Sequence, residues 1–163
     1  MTPIPAITDI DQLKDRPAMA ALLGWRREAV QGAHFAFDEL GIWIERESLR
    51  DACVLLRDRL GFDFFSTVTC VDWHPSQPRF ELIYQLLAMR SKQRLRLKVR
   101  VSEDDPAVDS VMSVWPAANY FEREVFDLFG IRFAGHPYLR RIMMPDDWQG
   151  HPLRKDYPVE GYR

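Results

Sequence analysis

Cysteine is nearly absent from this 163-residue chain, which carries only Cys53 and Cys70. One pair without CxxC spacing cannot hold an iron–sulfur cluster, which takes four protein ligands, usually all thiolates. A zinc site would have to recruit His34, His74, His136 or His151, and none of these shows ligand spacing such as HxxxH. Both cysteines read as small buried apolar residues. Long hydrophobic runs are also missing, and nothing approaches the ~20 apolar residues that a membrane-spanning helix needs. The start, MTPIPAITDIDQLKD, has no basic segment followed by an apolar one, so it does not read as a leader. An excess of positive charge is absent as well: 22 Lys and Arg against 24 Asp and Glu leave a net charge of −2. A whole-protein basic field for nucleic acid is therefore excluded. Glycine is sparse, and no Gly-rich phosphate loop accompanies a nucleophile.

What is present is enough apolar side chain, 47%, to build a core. Residues 17–31 read as a helix opened by Pro17, with Ala18, Ala21, Leu22, Trp25 and Ala29 at helical spacing. Two short runs, 34–38 and 42–45, read as a hairpin around Gly41. Ser48 opens a second helix, with Asp51 three residues on as a capping-box signal. Leu49, Ala52, Cys53, Leu56 and Leu60 form its apolar stripe, and Gly61 sits where a left-handed C-terminal cap is favoured. Three longer strands follow: 62–71, then the alternation of Phe80, Leu82, Tyr84 and Leu86, then 94–101. In the last, period two puts Leu95, Leu97, Val99 and Val101 on the core face. Arg94, Arg96, Lys98 and Arg100 line the other. That basic row is either a solvated face paired with neighbouring acids such as Glu81, or a docking surface for an acidic partner or phosphates.

Asp105-Pro106 reads as the start of a short helical stretch to about Trp115, and 117–129 as a helix ended by Gly130. The expected order is α-β-β-α-β-β-β-α. It describes an α+β, two-layer domain with a mixed sheet of about five strands covered by helices. In the helix 117–129, Phe121, Val125, Phe126, Leu128 and Phe129 form an apolar arc, and Arg123 and Asp127 sit opposite, spaced to pair. Glu122 falls inside the arc, where a carboxylate must be hydrogen-bonded, paired or raised in pKa. The cations nearby in sequence are Arg132, Arg140, Arg141 and Arg154, so Glu122, with Glu124, is expected to clamp an arginine.

After Gly130 the composition changes. Residues 130–163 hold four Gly and four Pro, which deny the stretch a long helix or a central strand. It still carries Phe133, Tyr138, Leu139, Ile142, Met143, Met144, Trp148, Leu153 and Tyr157, too many large apolar groups for a flexible linker. The division is thus a domain over 1–130 and an extended, partner-docking tail over 131–163. Few local contacts offset the ordering entropy of such a tail, so partial disorder is expected in isolation.

One family accounts for these motifs. The run Glu122-Arg123-Glu124, then Asp127-Leu128-Phe129-Gly130, Gly135-His136-Pro137 and Leu139-Arg140-Arg141-Ile142 resembles the signature of the thirty-kilodalton subunit, the C subunit, of respiratory complex I (NADH:quinone oxidoreductase). It continues through Pro145, Asp147-Trp148 and His151-Pro152-Leu153-Arg154-Lys155-Asp156-Tyr157-Pro158, so the motif-dense part covers about 115–160. Thr69-Cys70-Val71-Asp72-Trp73 also resembles a strand end of that family.

The resemblance implies a structural, non-redox subunit of the hydrophilic peripheral arm with no catalytic, cofactor-binding or metal residue of its own. FMN, iron–sulfur clusters and quinone would sit on partner subunits. The chain would dock beside the large quinone-site subunit (the forty-nine-kilodalton type) and the terminal-cluster subunit in a hetero-oligomer, peripheral on the cytoplasmic side of a bacterial inner membrane. The whole complex passes electrons from NADH to quinone and translocates protons. Equivalent subunits occur in membrane-bound hydrogenases and other-donor dehydrogenase complexes, which remain the alternative. An independent enzyme built on His136 and His151 lacks a companion nucleophile. An RNA-binding sheet lacks an aromatic on the basic face of its strand.

Overall fold

A computed structural model describes residues 6–162, so the first five residues of the segment read above as lacking a leader pattern lie outside it. The elements are α1 (Ile10–Leu13), α2 (Pro17–Trp25), β1 (Val30–Ala36), β2 (Glu39–Ile44), α3 (Leu49–Leu60), β3 (Phe64–Asp72), β4 (Phe80–Ala88), β5 (Gln93–Val101), β6 (Ala107–Asp109), α4 (Ala118–Phe129) and β7 (Arg132–Ala134). Five strands form one sheet in the order β1-β2-β5-β4-β3. The β2–β5 pair is parallel and the others are antiparallel, so the sheet is mixed, as expected.

Period-two alternation sets the core face. Leu95, Leu97, Val99 and Val101 of β5 are buried beside Phe80, Leu82, Tyr84 and Leu86 of β4, in one cluster with Leu22, Leu49, Cys53, Leu56, Val125 and Phe129 of the helices. Both cysteines are free and buried. Burial raises both thiols, that of Cys70 to about 12, and so leaves them inert at neutral pH. The outer face of β5 is paired rather than free. Lys98 and Arg100 share Glu81, which also accepts the indole N–H of Trp43 at 2.8 Å, while Arg94 and Arg96 share Glu39.

Three local readings are corrected. The first long helix ends at Trp25, because Arg26 turns extended, donates to the Ser48 hydroxyl at 3.1 Å and leads through a 3-10 turn into β1. Pairing Val30 with Ile44 buries both, which outweighs the helical spacing of Ala29. The hairpin turn falls at Phe37-Asp38, not at Gly41, which lies inside β2 beneath the His34 ring. Ser48 is buried and makes no side-chain cap, so the capping box does not form, although Gly61 does end α3 at φ 71°.

The stretch from Asp105 to Trp115, expected to be helical, holds no helix: it is a short strand followed by a turn. Ala107–Asp109 pairs in parallel with Arg132–Ala134, burying Val108 against Phe133. Asp105 is held between Arg46 and Arg132, which fixes an extended entry.

Leu97→Ala, at the fully buried centre of β5, is expected to cost about 2–5 kcal/mol in urea unfolding. Arg94→Ala, whose side chain is 72% exposed, is expected to stay within ~0.5 kcal/mol.

Candidate interaction site formed by the C-terminal segment

Helix α4 buries two carboxylates on different faces, and they do different work. Glu122 is fully buried. It accepts the Ser110 hydroxyl proton at 2.6 Å and the Val111 backbone N–H at 2.7 Å. Among the described residues no arginine reaches it, and Glu124 is exposed, so the expected Glu122 clamp is not what forms. Burial pushes its carboxyl up to about 7 against the two hydrogen bonds. The Tyr84 hydroxyl, also fully buried, has no hydrogen-bond partner among the described residues.

Asp127 is the residue that clamps. It does not pair with Arg123. Its Oδ1 takes Arg141 Nη1 at 2.6 Å, and its Oδ2 takes the backbone N–H groups of Ile142, Met143 and Met144 at 2.9, 2.7 and 2.9 Å. Burial alone would raise this carboxyl. The three N–H groups and the guanidinium outweigh that and hold it below its ordinary value. Arg141 continues to the carbonyls of Trp148 and Gly150, at 2.9 and 3.0 Å, which closes the 141–150 loop on itself. Arg123 instead donates to the carbonyls of Arg140 and Arg141 at 3.2 and 3.1 Å. The face of α4 that looks polar in sequence is a second buried interface.

The last carbonyls of a helix have no partner within it. Here the C-terminal segment supplies them. His151 Nδ1–H donates to the Asp127 carbonyl at 2.8 Å, the Leu153 N–H to Leu128 at 3.1 Å, and Arg154 Nε to Phe129 at 2.6 Å. Cationic groups at this end also suit the helix dipole. Gly130 follows at φ 75°, and a Cβ there would meet His151 and Arg154 at 2.6 and 2.7 Å. The next residues pin the far end of the sheet. The Lys155 N–H donates to Asp72 at 2.8 Å, and Asp156 pairs with Arg79. Arg79 is almost fully buried and also holds Asp72 and Glu103. Burial opposes it, but Arg79 and the N–H groups of Lys155 and His74 keep Asp72 well below the usual carboxylate range.

His136 accepts the Tyr138 N–H at Nδ1 (3.0 Å) and donates from Nε2 to the Asn119 carbonyl (3.3 Å), so both ring nitrogens are engaged. Gly135, at φ 79°, and exposed Pro137 bracket this turn. Tyr157 donates its hydroxyl to the Gln149 carbonyl, and Pro152 is half-buried. Among the described residues no three His, Cys, Asp or Glu side chains are placed to hold a metal ion.

The structure thus gathers Arg123, Asp127, Arg141, His151, Arg154, Lys155 and Asp156 into one latch. Arg79 and Glu103 belong to it as well and carried no signal in sequence. These contacts are long-range, so they do not show in the local composition of the segment. Outside the latch, Tyr120, Tyr138, Met143, Leu153 and Val159 remain exposed, with Arg140 stacked 4.1 Å over the Tyr138 ring.

Comparison with known proteins places this arrangement. Residues 42–163 match the family described as respiratory-chain NADH dehydrogenase, 30 Kd subunit. The NADH-quinone oxidoreductase C subunit of Geobacter sulfurreducens is 48% identical over 124 residues, covering 76% of each chain. That of Roseiflexus sp. (strain RS-1) is 45% identical over 134 residues, covering 81% of this chain and 77% of the relative. Among solved structures, a trypsin-resistant fragment (1–134) of Nqo5 aligns with TM-score 0.58 and 33% identity, over 62% of this chain and 83% of the fragment. A chain of an archaeal membrane-bound sulfane sulfur reductase aligns with TM-score 0.75 and 25% identity, over 90% and 86%.

Removing Asp127 strands three backbone N–H groups and a guanidinium, so Asp127→Ala is expected to cost about 3–5 kcal/mol. Trypsin should then cut first within 131–163. Because Asp127 and Asp72 titrate below their unfolded values, the latch's contribution should be present above about pH 4 and lost as pH falls through their folded pKa values. Glu122 has the opposite sign. Its folded pKa is raised, so stability should fall as pH rises from about 4.5 to about 7, on the order of 3 kcal/mol. Melting temperatures of Glu122→Gln at pH 5 and pH 8 should lack that decline.

Proposed function

The chain belongs to the family described as respiratory-chain NADH dehydrogenase, 30 Kd subunit, and we propose that it serves as a non-redox structural subunit in the peripheral arm of a proton-translocating NADH-quinone oxidoreductase. Membership makes it one subunit of a hetero-oligomer. No described helix is long and apolar enough to cross a membrane, so attachment would come through partners, on the cytoplasmic side of a bacterial inner membrane.

The observation that carries the reading is the latch. The His151–Tyr157 run is bound to its own helix end and sheet end by backbone-capping bonds, and both ring nitrogens of His136 are engaged, so these residues build a surface rather than a reaction centre. What they hold outward is aromatic, aliphatic and cationic, the mixture that protein interfaces favour at their anchors. In this reading residues 1–130 form the scaffold and 131–163 the docking segment. The neighbours are the large quinone-site subunit and the terminal-cluster subunit, with FMN, iron–sulfur clusters and quinone carried by partners.

The archaeal structure supports a second reading, the equivalent position in a complex with another electron donor or acceptor. Relatives named for NADH-quinone oxidoreductase share 45–48% identity against 25% for that chain, which favours the first.

Affinity purification of the chain in mild detergent, with mass spectrometry and an NADH:quinone assay, separates the outcomes. Co-elution of the large quinone-site subunit and a flavin-bearing subunit with NADH oxidation is expected. A nickel-bearing large subunit with hydrogen evolution would move the chain to the second reading. Recovery of the chain alone would overturn both.

A further inference from the structure

The end of the sheet opposite the latch carries a second surface. Three connections meet there: the β1–β2 turn, the β4–β5 turn and the approach to β3. The non-glycine residues described at positive φ, Phe37 (52°), Asp38 (61°) and Lys92 (60°), all lie in the two turns. A two-residue turn with positive φ at both positions favours Asn-Gly or Asp-Gly, and a bulky side chain in the left-handed region is strained. Phe37 nevertheless takes the first position with 78% of its surface in solvent. Neither turn geometry nor core packing accounts for a phenylalanine there.

Its surroundings are cationic and apolar. A depression of about 490 Å³ is lined by the cations Arg16, Lys92 and Arg94, by Asp38 and Glu39, and by the Phe35 and Phe37 rings. A second, of about 240 Å³, shares Glu39 and Arg94 and leads onto the basic row through Arg96. Phe64 and Met89, 48% and 45% exposed, stand at the same end. Arg16 lies 3.4 Å over the Phe35 ring, and Arg16, Arg90 and Lys92 form no ion pair with any described residue. Glu39 already serves both Arg94 and Arg96. On a chain of net charge −2, Arg16, Arg90, Lys92, Arg94 and Arg96 outnumber Asp38, Glu39 and Asp63 at this end, a modest positive excess around exposed aromatic surface.

We propose that this end is a second docking surface, which takes an extended acidic segment of a partner subunit. Its carboxylates meet Arg16, Lys92 and Arg94, and an aliphatic side chain covers Phe37. The proposal rests on the reading of the chain as a subunit of a larger complex. It adds that the chain bridges two contacts from opposite ends of one sheet. Charge complementarity selects the acidic partner, and strain retained at an exposed aromatic is what a contact residue held out from the fold produces.

The test uses the complex purified from cells, with the photo-crosslinking residue p-benzoylphenylalanine in place of Phe37 or, as a control on the latch surface, Tyr138. A covalent adduct from position 37 to an acidic segment of a partner subunit is expected. An adduct to a second copy of this chain, to lipid or to a non-acidic surface, or no adduct while position 138 reacts, would overturn the proposal alone. Silence at both positions would also remove the reading of the chain as a docked subunit.

Phe37→Asn supplies an independent readout. Asn tolerates positive φ, so the melting temperature of the full chain should hold or rise, while retention in the complex falls at least tenfold. Lys92→Glu combined with Arg94→Glu should lower retention similarly. A fall in melting temperature with unchanged retention would mean that Phe37 serves the fold and would overturn the proposal.

Discussion

A carboxylate shut away from solvent, Asp127, decides where the C-terminal segment runs. An ionised group can be buried only if its charge is answered on every side. Asp127 also sits near the negative end of a helix dipole, which makes the demand stricter. Three consecutive backbone N–H groups and one guanidinium meet it, all from residues 141–144. Once those residues are fixed, Arg141 closes the loop to Gly150, and His151, Leu153 and Arg154 arrive at the open carbonyls of α4. Among its described residues the segment has no ladder beyond the three residues of β7. Its order is borrowed from the end of α4 and the end of β3.

The second anchor follows the same rule with the sign reversed. Arg79 is a buried cation answered by Asp72, Asp156 and Glu103, drawn from the sheet, the segment and the connection after β5. Two buried charges of opposite sign thus tie one stretch of chain to a helix end and to a sheet end. The desolvation cost of such groups offsets much of their Coulombic gain, so their partners have to be complete. The route of the segment also sets where Tyr138, Met143 and Leu153 stand exposed.

The latch and the aromatic end divide the sheet between them. The first presents surface by holding side chains through capping bonds; the second presents Phe37 from a turn that does not suit it. Between them, the four cations of the basic row of β5 share two carboxylates, Glu39 and Glu81, so half of its charge is answered within the sheet. The cysteines and Tyr84 are buried in the core and take no part in either surface.

Several local patterns were legible in the sequence, although the Ser48 capping box and the turn at Gly41 were not among those that formed. Period two identified the core face of β4 and β5, helical spacing and a following glycine bounded α3 and α4, and the motif run marked the family. Glu122 was correctly singled out as buried, because a carboxylate inside an apolar arc is visible in one turn of helix. Its partner was not, since Ser110 and Val111 reach it through a short strand that itself exists only by pairing with β7. For the same reason 105–115 misread as helix, and the first helix ran too long until Val30 found Ile44. Asp127 read as a partner for Arg123 opposite the apolar arc, because the residues that cover its face of α4 lie fourteen to seventeen positions away. The sequence determined the core faces and the need to answer Glu122, but carried no sign of the burial of Arg79 and Asp127. Only the tertiary structure decided which distant groups would answer them, because a charge is satisfied by whatever lies within hydrogen-bond reach, and spacing along the chain does not measure that distance.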